Sequence, residues 1–382
     1  MKNTSLNDTT LKKERNYGID ALRTVAMLMV VTLHVLGFGG VLAHTKDLTF
    51  GAELLWSIKI LCYSAVNIYA IISGFVGYRS SHKGRNLIYL CLQLFFFSAI
   101  LTGIDTAVLL SQGAPISASA IFHNLFPSIK MHWYFSAYFC LFFFMPILDK
   151  IIDTVPQKTL KICALVCFAV FCCISPFSDQ VTSLRGGYSV FWLILMYTLG
   201  AYISKYDPLK KRSSLFCFLG FAVCSVLTVI IRIAIMLYNN NFASEPKGFE
   251  LLVTYISPTV TLAAVFIVCA FAKLNIKGKI SKKIIGLLCP LSFGVYLLHC
   301  HPIVAARLQG AFEWVGMKNP FIALLLTLGI SLAIFSSCML IDWLRLLIFK
   351  LLKIKKLSEI IERALKKPIY LLLRIKNGEA EE

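Results

Sequence analysis

Charged side chains are scarce in this chain. Asp, Glu, Lys and Arg make up 15% of its 382 residues, against about 25% in a soluble globular domain. Hydrophobic residues make up 58%, and the mean hydropathy is +0.76. So little charge cannot build a water-facing surface, which excludes a soluble globular protein and leaves an integral membrane protein. Acidic residues are scarcer still, 19 Asp and Glu standing against 38 Lys and Arg for a net charge of +19. Any Cys-x-x-Cys pair is also lacking. The 13 cysteines fall almost all within apolar stretches, as Cys62, Cys140, Cys224 and Cys338 do, so they read as small packing residues rather than a disulfide framework. The sequence shows no internal repeat, no appended soluble domain and no convincing small-residue cleavage site after its first apolar stretch, so the first helix is expected to be retained.

What is present is a succession of apolar runs: Gly18 to Phe38, Leu54 to Tyr78, Leu87 to Leu110, Trp133 to Ile152, Leu160 to Ile174, Tyr188 to Ile203, Leu215 to Leu237, Leu251 to Phe271, Ile284 to Ala306 and Phe321 to Phe349. Most can cross about 30 Å of hydrocarbon, and Leu160 to Ile174 is the shortest. The fold class expected is all-α, a polytopic transmembrane bundle of about ten spans. Basic residues set its direction. With the N-terminus in the cytoplasm, Lys12, Lys13, Arg15, Arg79, Lys83, Arg85, Lys158, Lys205, Lys210, Lys211, Arg212, Lys273, Lys277, Lys279, Lys282 and Lys283 fall in cytoplasmic segments. The other loops hold Lys46, Lys130, Arg185, Lys247, Arg307 and Lys318. Cytoplasmic loops of polytopic proteins carry such an excess, so both termini are expected inside. The positive charge then needs no nucleic acid to explain it. The chain divides into a cytoplasmic tail over 1–16, a membrane domain over 17–349 and a basic cytoplasmic tail over 350–382. Within that last tail, Lys350 to Lys376 alternates Leu and Ile with Lys and Arg, as an amphipathic helix on an anionic leaflet does. Asn3-Thr4-Ser5 and Asn7-Asp8-Thr9 match the glycosylation pattern but lie in the tail expected inside.

Two ionisable residues stand within the first run, Arg23 and His34. Eleven helical residues at about 100° each return to within roughly 20° of the start, and the rise of 1.5 Å per residue separates the pair by about 16 Å. They share one helix face at two depths. Ionisable groups in a spanning helix face protein or an aqueous cavity and are functional candidates by default. Entering from the cytoplasm, Arg23 lies near the inner surface, one turn after Asp20 with which it can pair, and His34 lies in the outer half. The plainer alternative has Arg23 snorkelling to inner headgroups and His34 satisfying a carbonyl.

Four segments in order resemble the acyltransferase-3 family of membrane acyltransferases, the group that O-acylates cell-surface glycans. The first helix of that family carries a basic residue, ten intervening residues and a histidine, matched here by Arg23 and His34. Asn67-Ile68-Tyr69-Ala70-Ile71-Ile72-Ser73-Gly74-Phe75, with the basic loop Arg79, Lys83 and Arg85, is similar to its second motif. His132-Trp133-Tyr134-Phe135-Ser136-Ala137-Tyr138, ending in Met145-Pro146-Ile147-Leu148, resembles the third, and Ser292-Phe293-Gly294-Val295-Tyr296-Leu297-Leu298-His299 the fourth. The chain departs from the family at Lys83-Gly84-Arg85, where adjacent arginines are often found, and at Cys300-His301-Pro302, where a proline more often follows the histidine directly. The resemblance implies a multi-pass protein of a bacterial plasma membrane with O-acyltransferase activity. Acyl-CoA, acetyl-CoA first among them, is implied as a co-substrate with no bound cofactor. A surface polysaccharide, glycolipid or lipid-linked sugar is implied as acceptor, with membrane lipids and glycan-assembly proteins as partners.

The chemistry implied suits the residues. A sugar hydroxyl is un-ionised at neutral pH and needs a base, and imidazole, with an unperturbed pKa of about 6.5, is suited to the task. His34 is the catalytic candidate, as general base or as acyl-carrying nucleophile, with Arg23 on the donor side. The phosphates of the donor are expected on Lys83, Arg85 and Arg23, with Ser73 in the same motif, although positive-inside topology alone also supplies such cations. Trp133, Tyr134, Tyr296 and His299 reach similar outer depths and form the candidate acceptor site. Trp and Tyr there also suit an interfacial aromatic belt. Asp20 is expected to support Arg23, and Asp105 to orient His34. His299 and His301 invite a metal, but no carboxylate completes a ligand set and none is expected. A transporter with Arg23 and His34 as gating or proton-relay groups is the chief rival. Such folds show repeats and helices broken at matching positions, which this sequence lacks. A sensor or assembly domain is the other rival, and it would tolerate loss of His34.

Overall fold

A computed structural model describes residues 15–127, 131–175, 184–242 and 252–376, with side chains described as far as Lys366. Lys12, Lys13, Lys130, Lys247 and the two glycosylation patterns lie outside these residues. Each of the ten apolar runs contributes helix among the described residues. The helices are α1 Tyr17–Leu36, α2 Phe50–Tyr63, α3 Ala65–Gly77, α4 Gly84–Ser111, α5 Ala118–Leu125, α6 Trp133–Thr154, α7 Gln157–Phe168, α8 Val190–Tyr206, α9 Ser214–Phe242 and α10 Pro258–Ala272. They continue with α11 Lys279–Leu288, α12 Ser292–His299, α13 Pro302–Leu308, α14 Glu313–Gly316, α15 Pro320–Leu351 and α16 Ile354–Lys376. Among the described residues, eight stretches are long and apolar enough to cross a membrane, including the joined pairs α2–α3 and α11–α12, and α8 and α10 are shorter apolar helices. The weakest run of the sequence, from Leu160, is helical through α7 and continues as a π-helical turn over Ala169–Ile174.

Helix α1 occupies the centre, packed by α2, α3, α10, α12 and α15. Its start is set by Asn16, whose side chain accepts from the Ile19 N–H at 3.1 Å and donates to the Ala272 carbonyl at 2.9 Å. The free amides of a first turn are thereby capped while α1 is tied to the end of α10. Helices α3 and α8 approach so closely that a side chain at Gly74 would strike the Tyr197 carbonyl, and one at Gly200 the Ile71 carbonyl. Small residues allow such contact between backbones, which drives helix association where lipid leaves no hydrophobic force to do so.

Two buried polar clusters are internally paired, as an apolar medium demands. Asn67 donates to the Tyr255 carbonyl at 2.7 Å and accepts from the Trp192 indole at 2.8 Å. Asp342 and Arg345 pair at 2.7 Å, and Gln93 donates to the same carboxylate at 3.0 Å. A Cβ at Gly294 would overlap that carboxylate. Glycine there lets α12 sit directly on α15.

One span differs from the sequence reading. The run Ile284 to Ala306 is divided rather than continuous: Pro290 interrupts it between α11 and α12, and the chain turns again at Cys300-His301 before α13. Proline lacks the N–H that a helix interior requires. His301 makes the second break by accepting from the Ile303 N–H at 3.4 Å as the cap of α13. The spanning portion therefore ends at His299. The amphipathic tail forms α16, which meets the start of α4 through Arg85 and Glu359 at 2.7 Å.

Candidate active site

The end of α1 is built to hold His34. Gly37 closes the helix by donating to the Leu33 carbonyl, and Gly39 donates to the carbonyl of His34 itself at 2.8 Å. Gly40 follows with a φ of +91°, a conformation that favours glycine, and a side chain there would meet Glu313. Phe38 is turned back over the imidazole, ring centroids 4.5 Å apart.

His34 lies on the wall of a cavity of about 580 Å³. That volume lies within the range of small-molecule sites. Met27 and Leu33 of α1, Val66 and Tyr69 of α3, Trp133 and Tyr134 of α6, Tyr296 of α12, Cys300, and Pro302 of α13 share that wall. Tyr188 and Tyr255 complete it from the segments preceding α8 and α10. With Trp133 they form an aromatic group, the indole lying 4.6 Å from the Tyr188 ring and 6.3 Å from the Tyr255 ring in a stacked arrangement.

The protons on His34 follow from its neighbours. His299, at the end of α12 and 1% exposed, places Nδ1 at 2.5 Å from the Val295 carbonyl, which can only accept. Nδ1 of His299 therefore carries the hydrogen and its Nε2 carries a lone pair. That Nε2 lies 2.9 Å from Nδ1 of His34, so His34 donates there and its own Nε2 is left as a base. A carbonyl fixing one imidazole and that imidazole fixing a second is the kind of outer support that sets tautomers at reactive sites.

Cys300 adjoins both rings, its Sγ 3.4 Å from His299 Nε2 and 3.6 Å from His34 Nδ1. These three residues are the ones among the described residues whose ligand atoms cluster closely enough to consider a metal. Two nitrogens on a tetrahedral zinc, each about 2.0–2.1 Å from the ion, stand about 3.3 Å apart. The observed 2.9 Å is the separation of a hydrogen bond. His301, the other histidine considered for a metal, has both nitrogens engaged by backbone, at Asn124 O and Ile303 N.

Arg23 lies below the cavity on the same face of α1, as the helical period requires. Its Nη1 is 3.6 Å from Asp20, which also pairs with Arg15 at 2.5 Å and accepts from the Cys289 thiol at 3.5 Å. The Tyr69 hydroxyl donates to the Arg23 carbonyl at 2.5 Å. Tyr69, Tyr134 and Tyr296 meet edge to face, with centroids 6.3 and 6.4 Å apart. A layer of tyrosines thus lies between the guanidinium and the histidine.

A family model described as an acyltransferase domain matches residues 16–343. The chain belongs to the acyltransferase-3 family. No curated protein and no solved structure matches it.

Within this family member, the sequence candidates fall into three groups. His34, Trp133, Tyr134 and Tyr296 share the cavity, and His299 stands behind His34 rather than on the cavity wall. Lys83, Arg85 and Ser73 lie apart from it: Lys83 precedes α4, Arg85 is paired with Glu359, and the Ser73 hydroxyl donates to the Tyr69 carbonyl of its own helix. Asp105 is bonded to Arg307 at 3.1 Å, so the position facing His34 Nδ1 belongs to His299 and not to a carboxylate. The basic loop before α4 is tied to α6 by Arg79 with Asp153 and by His82 with Asp149, at 3.1 and 2.9 Å. Sequence reasoning passed over Cys300, Tyr188 and Tyr255. Cys300 carried a signal, as the departure from the motif after His299. The tyrosines carried none beyond their place at the ends of apolar runs.

Proposed function

We propose that this protein is a membrane O-acyltransferase that moves an acyl group, acetyl in the first instance, from cytoplasmic acyl-CoA to a hydroxyl of a surface polysaccharide, glycolipid or lipid-linked sugar. The observation that carries the proposal is the His34 imidazole on the cavity wall, its Nδ1–H held by His299 and its Nε2 left as a base. The acceptor hydroxyl gives its proton to that Nε2 as the oxygen attacks the acyl carbonyl, and the proton passes on to the departing thiolate. The excess of basic residues in one set of loops supports cytoplasmic termini. In that orientation Arg23 belongs to the donor side and His34 to the acceptor side. The donor's phosphates take Lys83, Arg23 and, once it is released from Glu359, Arg85. The acceptor sugar lies against the faces of Trp133, Tyr188 and Tyr255.

His34→Ala tests this directly. Mass spectrometry of surface glycans is expected to show the acyl group lost while the variant reaches the membrane at normal level. Undiminished acylation would refute the proposal. Loss of glycan from the surface, rather than loss of its acyl groups, would point to transport.

A further inference from the structure

We propose that Cys300 carries the acyl group between donor and acceptor as a thioester. This rests on the acyltransferase reading and assigns it a second catalytic residue. Three observations converge on the thiol. Cys300 lines the same cavity as His34. Its Sγ lies 3.4 Å from His299 Nε2, which carries a lone pair, and 3.6 Å from His34 Nδ1, so a proton leaving sulfur enters the imidazole pair at His299 Nε2 in place of the His34 N–H. A cysteine nucleophile beside a histidine whose orientation is fixed by a third group is the arrangement that activates thiols. Finally, Tyr296, one helical turn before Cys300, lines the same cavity, is 8% exposed, and has a buried hydroxyl with no hydrogen-bond partner among the described residues. A donor left unpaired in an apolar wall costs free energy unless something in the cavity uses it. The carbonyl oxygen of an acyl group on Cys300 is such a partner, and its growing negative charge in the tetrahedral intermediate strengthens the bond.

The two half-reactions balance. In the first, the Cys300 thiol proton passes to the His34–His299 pair as sulfur attacks the thioester carbonyl of acyl-CoA. The carbon–sulfur bond to CoA breaks, and the CoA thiolate takes that proton and leaves. One thioester has replaced another, so no energy source is needed. In the second, the acceptor hydroxyl gives its proton to His34 Nε2, and its oxygen attacks the carbonyl held on Cys300. The bond to Cys300 breaks, and its thiolate recovers a proton from the imidazole pair. A cavity of about 580 Å³ then serves donor and acceptor in turn. Pantetheine and sugar need not be held there together, although they arrive from opposite sides of the membrane.

The test uses the purified full-length protein in lipid nanodiscs with radiolabelled acetyl-CoA and unlabelled free CoA, without any acceptor. A thioester intermediate exchanges label between the two. It also leaves on the peptide containing Cys300 an acetyl group that neutral hydroxylamine removes. Both signals are expected from the wild type, and neither from Cys300→Ala that elutes as a folded, monodisperse species. Cys300→Ser fills the same space and is expected to lose exchange, because an oxyester does not return its acyl group to CoA. Exchange at the wild-type rate in Cys300→Ala, or full surface-glycan acylation by cells carrying it, overturns the covalent step and leaves the acyltransferase reading standing. Equal glycan acylation with and without the gene overturns both.

Discussion

Replacing His299 measures how much of the reactivity of His34 is borrowed from its neighbour. The two rings meet at 2.9 Å, and the outer one is locked by the Val295 carbonyl at 2.5 Å. His299→Leu removes the acceptor for the His34 Nδ1–H. A buried donor without a partner costs about 1–3 kcal/mol, and the imidazole escapes that cost by turning or by moving its proton to Nε2. Either escape withdraws the lone pair from the cavity. At about 1.4 kcal/mol per factor of ten, the productive form falls by about 5- to 140-fold. The loss should appear in kcat, because His299 lies behind the cavity wall and touches no space that acyl-CoA would fill. His299→Gln places an amide oxygen near the lost Nε2 and is expected to restore most of the rate, within about fivefold of wild type. The assay is acyl transfer in membrane vesicles at varied acetyl-CoA. A leucine variant turning over at the wild-type rate refutes the tautomer argument, and so does a glutamine variant as impaired as the leucine one.

The start of α4 offers a second perturbation. Glu359 pairs with Arg85 at 2.7 Å, and Glu362 is held below the usual carboxylate range by its hydrogen bond to Lys366, aided by the amides of Gly84 and Arg85. Two carboxylates of α16 thus stand where the donor's phosphates are proposed to bind. Glu359→Gln combined with Glu362→Gln is expected to lower KM for acyl-CoA by up to about fivefold, the scale of an exposed ion pair. A raised KM would show that α16 holds the loop in place instead. At the contact of α3 and α8, Gly200→Ala forces a Cβ against the Ile71 carbonyl and is expected to cost about 1–3 kcal/mol of stability. A thermal melt in detergent checks this, and an unchanged midpoint contradicts the close approach.

How much of this was legible in the sequence depends on the distance over which each contact is specified. Arg23 and His34 were readable as a pair because a shared face needs only the helical period, which one segment encodes by itself. The apolar runs were readable for a related reason: crossing hydrocarbon is a demand on composition and length. His299 was singled out by its motif, yet its role was not, since the contact with His34 spans 265 residues. That contact depends on α12 lying against both α1 and α15. The sequence holds the causes as separate small permissions: Gly294, which admits the Asp342 carboxylate; Pro290, in the 3-10 turn that joins α11 to α12; and His301, which ends the span by capping the next helix. None of these residues announces chemistry. Asp105 shows the reverse error, for its depth suggested a partner for His34 while Arg307, in the segment after His299, claims its charge. A carboxylate facing His34 in hydrocarbon would have required its own compensation. A second imidazole fixes the tautomer without adding a charge, which suits the role of base proposed for His34, beside apolar walls and with a proton to lose again at each turnover.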